Sequence, residues 1–123
     1  MNQADVIVGP RIEVRKSIFV GTVVKITSAD AARAFVKDMK RRDRKACHVA
    51  FAFRVGTNPV VEGMSDDGEP RGTAGVPLLM LLRNRKINDT LVAVTRVWGG
   101  TKLGTGNLRR AYTQAAIRAL EAT

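Results

Sequence analysis

Two glycine-rich segments carry side chains that could take part in chemistry. The first, residues 63–75, is acidic, and Asp66, Asp67 and Glu69 could supply acid–base groups or ligands for Mg²⁺. The second, residues 99–106, is basic and lies between a predicted strand and a predicted helix. Glycine N–H groups at a helix start, together with nearby cations, can hold a phosphate or a carboxylate. The residues of this predicted anion site are Arg96, Gly99, Gly100, Lys102, Gly104, Gly106, Arg109 and Arg110.

His48 is a further catalytic candidate, because its face of a predicted strand otherwise carries only alanines and Arg54. Cys47 directly precedes it, so the two side chains point to opposite faces and cannot form a nucleophile–base pair. A single histidine and a single cysteine also fall short of the three or four ligands of a zinc site. A structural role for His48 and a core position for Cys47 are the alternatives.

Neither glycine-rich segment satisfies an established ligand motif. The acidic one lacks the alternating acids and the distal glutamate of an EF-hand loop. The basic one lacks the Lys-Ser/Thr pair of a P-loop, and Arg109 stands where a dinucleotide fingerprint has its third glycine. A solvated turn and a structural strand-to-helix turn are the alternatives for the two segments. The sequence therefore assigns no catalytic residue and no cofactor outright, with Mg²⁺ as the one candidate ion.

Hydrophobic periodicity predicts the elements that position these segments. Residues 12–26 are rich in β-branched types and suit two short strands or one bent strand. Residues 47–55 alternate between apolar and small side chains, as a strand does. The order strand-strand-helix-strand-strand-helix-strand-helix predicts an α+β domain with a mixed, largely antiparallel sheet and helices on one face. We expect residues 1–123 to form a single domain, with residues 1–11 as a loose N-terminal segment.

Charge is the strongest compositional signal. The 123 residues include 21 Lys and Arg but only 11 Asp and Glu, a formal net charge of +10. Such a surplus favours anionic partners such as nucleic acid, although it could also serve solubility alone. No apolar run is long enough for a membrane span, and no secretory signal opens the chain. With one cysteine, a cytoplasmic protein without a membrane partner is expected.

Two long motifs resemble the signatures of the YigZ/IMPACT family. They are residues 65–77, SDDGEPRGTAGVP, and residues 95–112, TRVWGGTKLGTGNLRRAY. Residues 16–19, KSIF, resemble the opening motif of the family, and His48 lies where the family has a strand histidine. The resemblance covers residues 15–120 and is to the conserved core alone. It does not include the ferredoxin-like second domain of bacterial members or the N-terminal partner-binding domain of eukaryotic ones.

The resemblance implies the ribosomal protein five domain 2-like fold, which domain four of elongation factor G shares. It implies a role in translation: bacterial members are proposed to bind nucleic acid or the ribosome, and eukaryotic members compete for the activator of a stress-response kinase. It implies no established reaction. This sequence departs from the family at Arg71, at the Val97–Trp98 pair and at Asn107, where the family has serine, Tyr-Phe and glycine.

Three functions are compatible with these residues. In the first, a translation-associated module contacts RNA or the ribosome through Arg96, Lys102, Arg109 and Arg110, and Trp98 stacks on a base unless it packs in the core. In the second, an enzyme or binding protein uses both loops and His48 to hold a small phosphorylated or otherwise anionic ligand. In the third, the domain binds a protein partner in translational stress regulation. The chain is expected to be a monomer or a weak homodimer.

Overall fold

The computed structural model describes residues 6–123, which form a five-stranded sheet and three helices in the predicted order. The elements are β1 Val6–Val14, β2 Ser17–Lys25, α1 Ala29–Arg42, β3 His48–Val55, β4 Val61–Ser65, α2 Gly75–Asn84, β5 Thr90–Val97 and α3 Thr105–Glu121. The strand order is β1-β2-β5-β3-β4. Every strand pair in these residues is antiparallel, so the predicted α+β class is confirmed and the sheet is more regular than the mixed one expected.

The first strand begins earlier than the sequence indicated. Residues 6–11, expected in a loose segment, belong to β1 and pair with β2, with an irregularity between Val8 and Arg11. Residues 1–5 of that expected segment lie outside the described residues. The β-branched stretch 12–26 is divided by a turn at Arg15 and Lys16, so it contributes to two strands rather than to one bent strand.

The helices do not share one face of the sheet, and that prediction is corrected. Helices α2 and α3 pack on the face formed by Ala50, Ala52 and Val92, whereas α1 packs through Val36 on the face that carries Phe51. The two alanines were expected to leave their face thinly covered. Their small side chains instead let the apolar face of α2 approach the sheet closely, and both are fully buried.

One end of the sheet gathers most of the singled-out residues. The β1–β2 turn, the start of β3, the end of β4 and the end of β5 all meet there, because neighbouring strands are antiparallel. Helix α1 brings its C-terminal turn to the same end, and Ser28 caps its other end by accepting a hydrogen bond from the Ala31 N–H at 3.0 Å. Within residues 6–123, none of the helices has both the length and the apolar character needed to cross a membrane.

Candidate functional site

The strand register places three predicted or motif residues side by side. Arg96 of β5 is paired with Phe19 of β2 on one side and with His48 of β3 on the other. All three therefore point to the face that α2 and α3 cover. Arg96 is only 3% exposed, so a charged guanidinium lies inside the domain and needs a buried partner.

Glu69 of the acidic loop is that partner. The Nη1 atom of Arg96 donates to both carboxylate oxygens of Glu69, at 2.9 and 2.8 Å. The hydroxyl of Tyr112, from α3, donates to the same carboxylate. Burial, and then the hydrogen bond to Glu69, raise the pKa of Tyr112, so the hydroxyl keeps its proton. A loop, a strand and a helix are thus joined through one buried carboxylate.

Ser17 and Phe19 complete the surroundings of Arg96. The Ser17 hydroxyl oxygen lies 3.3 Å from Nη2 of Arg96 and accepts a hydrogen bond from the Gly99 N–H at 3.1 Å. The ring of Phe19 lies 5.5 Å from the guanidinium carbon and packs edge-to-face on Tyr112. Sequence reasoning did not assign Ser17, Phe19 or Tyr112 to the site. They could have been found because all three lie within the motifs that resemble the family signatures, at residues 16–19 and 95–112.

Asp66 organises the acidic loop. Its carboxylate accepts hydrogen bonds from the backbone N–H groups of Gly72, Ala74 and Gly75, at 3.0, 3.1 and 2.8 Å. Burial works against ionisation, but these N–H groups and the positive charge of Arg71 outweigh it and lower the pKa of Asp66. The residue thus supplies the N-terminal cap that α2 otherwise lacks, because the residue before that helix is Ala74.

Asp67 connects the loop to β3 and α1. Its carboxylate accepts from the Val49 N–H at 2.7 Å and pairs with the Lys40 ammonium at 2.6 Å. Its backbone oxygen lies 2.6 Å from Nδ1 of His48. Since a carbonyl oxygen can only accept, Nδ1 carries the proton of that bond. The other imidazole nitrogen, Nε2, faces Glu69 at 3.6 Å from its Oε1 atom.

The three acids of the loop therefore do different things. Asp66 binds backbone amides, Asp67 binds an amide and a lysine, and Glu69 binds an arginine and a tyrosine. Within residues 6–123, no group of three or more His, Cys, Asp or Glu side chains is arranged to hold a metal ion. The shared Mg²⁺ site that the sequence allowed for these acids is not formed by their positions.

The two glycine-rich segments meet at a pocket with a volume of 360 Å³. Its lining joins the acidic loop to the basic loop and to the buried polar residues, and consists of His48, Glu69, Pro70, Arg96, Trp98, Lys102, Leu103, Gly104, Thr105 and Leu108. We call this cavity the Trp98 pocket. Its floor is polar, its walls are largely apolar and Lys102 lies at the surface, which is the composition of a small-molecule site.

Trp98 is a wall of this pocket and not a core residue, so the alternative that it packs in the core is wrong. It is 49% exposed, and the guanidinium of Arg96 lies 5.2 Å from its ring centre. Cys47 is also exposed, although a core position was expected, because β3 begins one residue after it. Its thiol donates to the backbone oxygen of Arg96 at 3.3 Å.

The predicted anion-binding residues fall into two groups. Lys102 and Gly104 line the Trp98 pocket, with Arg96 below them. Arg109 and Arg110 instead line a more open cavity of 630 Å³ between β1 and α3. The glycines are largely structural: a Cβ atom at Gly99 would lie 2.2 Å from the backbone of Lys16, Gly100 and Gly104 have positive φ, and Gly106 lies in the first turn of α3.

Exposed cations surround this end of the sheet. They lie in the β1–β2 turn, in the loop before β3, in the acidic loop and in the basic loop, and they are Arg15, Lys16, Arg44, Lys45, Arg71 and Lys102. None of them forms an ion pair within the part of the chain that the structure describes. Besides the internally bound acids of the loop, the acids at this end within residues 6–123 are Glu13, Asp43 and Asp38, and Asp38 is already paired with Arg41 and Arg42, so this end carries a net positive charge.

Similar proteins agree with the motif resemblance. The chain is 38% identical to the IMPACT family member YvyE of Bacillus subtilis over 109 residues and 36% identical to YigZ of Escherichia coli over 110 residues. These matches cover 89% and 88% of this chain but 50% and 54% of the relatives. The chain thus spans about half the length of the curated relatives it matches.

Solved structures share the fold. A crystal structure of a hypothetical protein superposes with a TM-score of 0.87 at 32% identity, covering 95% of this chain and 61% of the other. The two-domain translational regulator Yih1 superposes with a TM-score of 0.64 at 25% identity, covering 99% of this chain and 48% of the regulator. The Impact N-terminal domain family matches residues 15–120. With the shared motifs and this architecture, the chain belongs to the IMPACT family, of which it carries the N-terminal domain.

Proposed function

We propose that this domain is a translation-associated binding module that contacts RNA, free or within the ribosome, through the basic end of its sheet. Membership of the IMPACT family and the likeness to a translational regulator support the translation-related role. The net charge of +10 favours a polyanionic partner. Phosphate contacts would supply most of the affinity and would make binding sensitive to salt.

The observation that carries this proposal is that the three acids of the loop are engaged by the domain itself. Free carboxylates at Asp66, Asp67 and Glu69 would repel RNA phosphates. Each carboxylate instead faces N–H groups, a lysine or an arginine of the domain itself. Lys40 and Arg96 balance the charges of Asp67 and Glu69, so the loop opposes the exposed cations around the Trp98 pocket only through the amide-bound carboxylate of Asp66.

The same observation weakens the enzymatic alternative. A general base needs an oxygen or nitrogen free to take a proton from a substrate, and the carboxylates of Asp66 and Asp67 are already engaged by the fold. Within the described residues, the candidate bases that line the pocket are His48, through Nε2, and Glu69, whose carboxylate is already held by Arg96 and Tyr112. A binding role requires none of these groups to react, so the contacts of the loop favour binding over catalysis.

Replacing Lys102 with alanine should weaken the binding of a fluorescein-labelled single-stranded RNA. Lys102 is exposed at the pocket mouth and has no ion pair within the described residues, so its loss removes one phosphate contact. We expect the slope of log K against log [salt] to become shallower by about 0.7, the value for one phosphate of a single strand. Fluorescence anisotropy over a salt series measures this slope.

Lys25→Ala is the matched control, because Lys25 is an exposed lysine at the opposite end of β2 and its loss changes the net charge equally. It should leave the slope close to that of the parent protein. Equal losses in both variants would show that the charge attracts RNA non-specifically. No binding to single-stranded or structured RNA near physiological salt would overturn the proposal.

A further inference from the structure

We propose that the Trp98 pocket accepts one unstacked base of a single-stranded RNA, with the base ring against Trp98 and the base edge directed towards Glu69 and His48. The inference rests on the proposed function and specifies which part of the RNA the site takes. At 360 Å³ the cavity lies at the small end of the range for ligand pockets, roughly 300–1,000 Å³. A base inside a duplex could not enter it, because its edges are paired and its faces stacked.

The walls of the pocket suit a flat apolar ring. Trp98, Pro70, Leu103 and Leu108 line it, and both leucines are buried, so these walls are held by the core. The guanidinium of Arg96 lies over one face of the Trp98 ring, 5.2 Å from its centre, and Arg96 is itself fixed by Glu69. The indole is thus pre-oriented, and a base can stack on its exposed part with little loss of side-chain freedom.

The floor of the pocket presents hydrogen-bond acceptors. Among residues 6–123, Oε1 of Glu69 receives a hydrogen bond only from Arg96, and His48 Nε2 lies beyond hydrogen-bond distance from it, at 3.6 Å. Because the Nδ1 atom of His48 donates to Asp67, Nε2 of the neutral ring is an acceptor. An acceptor floor favours base edges with several N–H donors; guanine presents an imino N–H and an amino group, whereas uracil presents one imino N–H.

The mouth of the pocket suits the phosphate that follows such a base. Lys102 is exposed there, beside Gly104 and Thr105 at the start of α3. No side chain caps that helix end, and its first turn contains no acid. The backbone N–H groups of this helix end and the Lys102 ammonium can therefore contact oxygens of the same phosphate. Walls, floor and mouth together match a nucleotide whose base has been turned out of its stack.

Trp98 makes this inference directly testable, because it is the only tryptophan in the chain and its fluorescence reports on the pocket alone. The probes are two synthetic eight-nucleotide RNA strands, one entirely abasic and one abasic except for a central guanine. Anisotropy of an end label measures binding, and tryptophan emission measures stacking. We expect the single base to tighten binding about tenfold and to quench Trp98, as one stacked base does.

Trp98→Ala should abolish the difference between the two strands, whereas Trp98→Phe should keep most of it. The half-exposed position of Trp98 makes both variants compatible with folding, which circular dichroism checks. Replacing the central guanine with uracil should lower the affinity to a value between those of the guanine and the fully abasic strands, because uracil still stacks on Trp98 but presents one N–H donor fewer to the floor.

Each outcome separates this inference from the proposed function. Equal binding of the two strands, with unchanged tryptophan emission, would overturn the base pocket and leave RNA binding through phosphates standing. Failure of both strands and of natural RNA to bind would overturn both proposals. Guanosine monophosphate is the last arm of the experiment. Quenching by this mononucleotide, without any binding of RNA, would place a free nucleotide in the pocket and overturn the RNA assignment.

Discussion

Replacing Glu69 with alanine is expected to lower the free energy of unfolding by about 3–5 kcal/mol, the range for removing one member of a buried ion pair. Both Glu69 and Arg96 are almost fully buried, and the change would leave the guanidinium without a countercharge. Tyr112 would also lose the acceptor of its buried hydroxyl. The loss arises mainly from the uncompensated charge that remains and not from the attraction within the pair.

Urea unfolding followed by circular dichroism measures this effect. Glu13→Ala provides the control, since Glu13 is an exposed glutamate of β1 without an ion pair in the described residues. It should change the free energy of unfolding by no more than about 0.5 kcal/mol. A Glu69→Ala protein within about 1 kcal/mol of the parent would show that the Glu69–Arg96 pair is not buried as described.

Asp66→Ala should have the second-largest effect, a loss of about 2–4 kcal/mol at neutral pH. The variant would leave three backbone N–H groups at the start of α2 without their acceptor. Asp30→Ala, which removes an exposed aspartate from the first turn of α1, should cost only about 0.3–1 kcal/mol. Asp66→Asn keeps one acceptor oxygen and should fall between the parent and the alanine variant.

The effect of Asp66 should also depend on pH in a defined direction. Its folded-state pKa lies below the ordinary value of 3.8, so its carboxylate stabilises the folded protein fully above that value. The contribution is lost as the pH falls through the folded-state pKa. Urea unfolding of the parent and of Asp66→Ala at about pH 7 and about pH 2.5 should show a smaller difference at the lower pH. An unchanged difference would mean that Asp66 does not act as a charged acceptor.

Much of the fold was predictable, because it follows from local periodicity. The eight elements, their order and the α+β class came from alternation in residues 47–55 and from apolar stripes in the helices. The side of the sheet on which α1 packs could not be predicted in this way. Periodicity identifies an apolar face of a helix but not the surface on which that face packs. The small side chains of Ala50 and Ala52 suggested an open face of the sheet, whereas both are buried in the core.

The residues of the site were predictable only in part, and their roles were not. The sequence named His48, Arg96 and all three acids of the loop. It did not predict the pairing of β3 with β5 that places His48 beside Arg96, nor the contributions of Ser17, Phe19 and Tyr112. It could not show that Asp66 caps a helix nine residues ahead or that Asp67 reaches a lysine 27 residues behind, since those contacts depend on the tertiary path of the loop. An acidic motif that looked catalytic is largely a set of internal hydrogen-bond acceptors.

These contacts also explain how acidic and basic motifs can occupy one end of a small domain. Glu69 holds Arg96 in place, and Arg96 in turn lies against Trp98. The acidic loop therefore shapes the wall of the Trp98 pocket through Arg96. In the proposed function, the two motifs would form a single binding surface, with carboxylates as its framework and lysine and arginine as its contacts.

An NMR titration of the ¹⁵N-labelled domain with a short single-stranded RNA would show which surface the RNA occupies. The chain is 13.4 kDa, a size at which backbone amides are well resolved. We predict that the largest shift changes occur at Lys16, Trp98 and Lys102 and along residues 98–105, at the basic end of the sheet. Changes concentrated at the opposite end, around Lys25 and Arg85, or no changes at physiological salt, would contradict RNA binding by this surface.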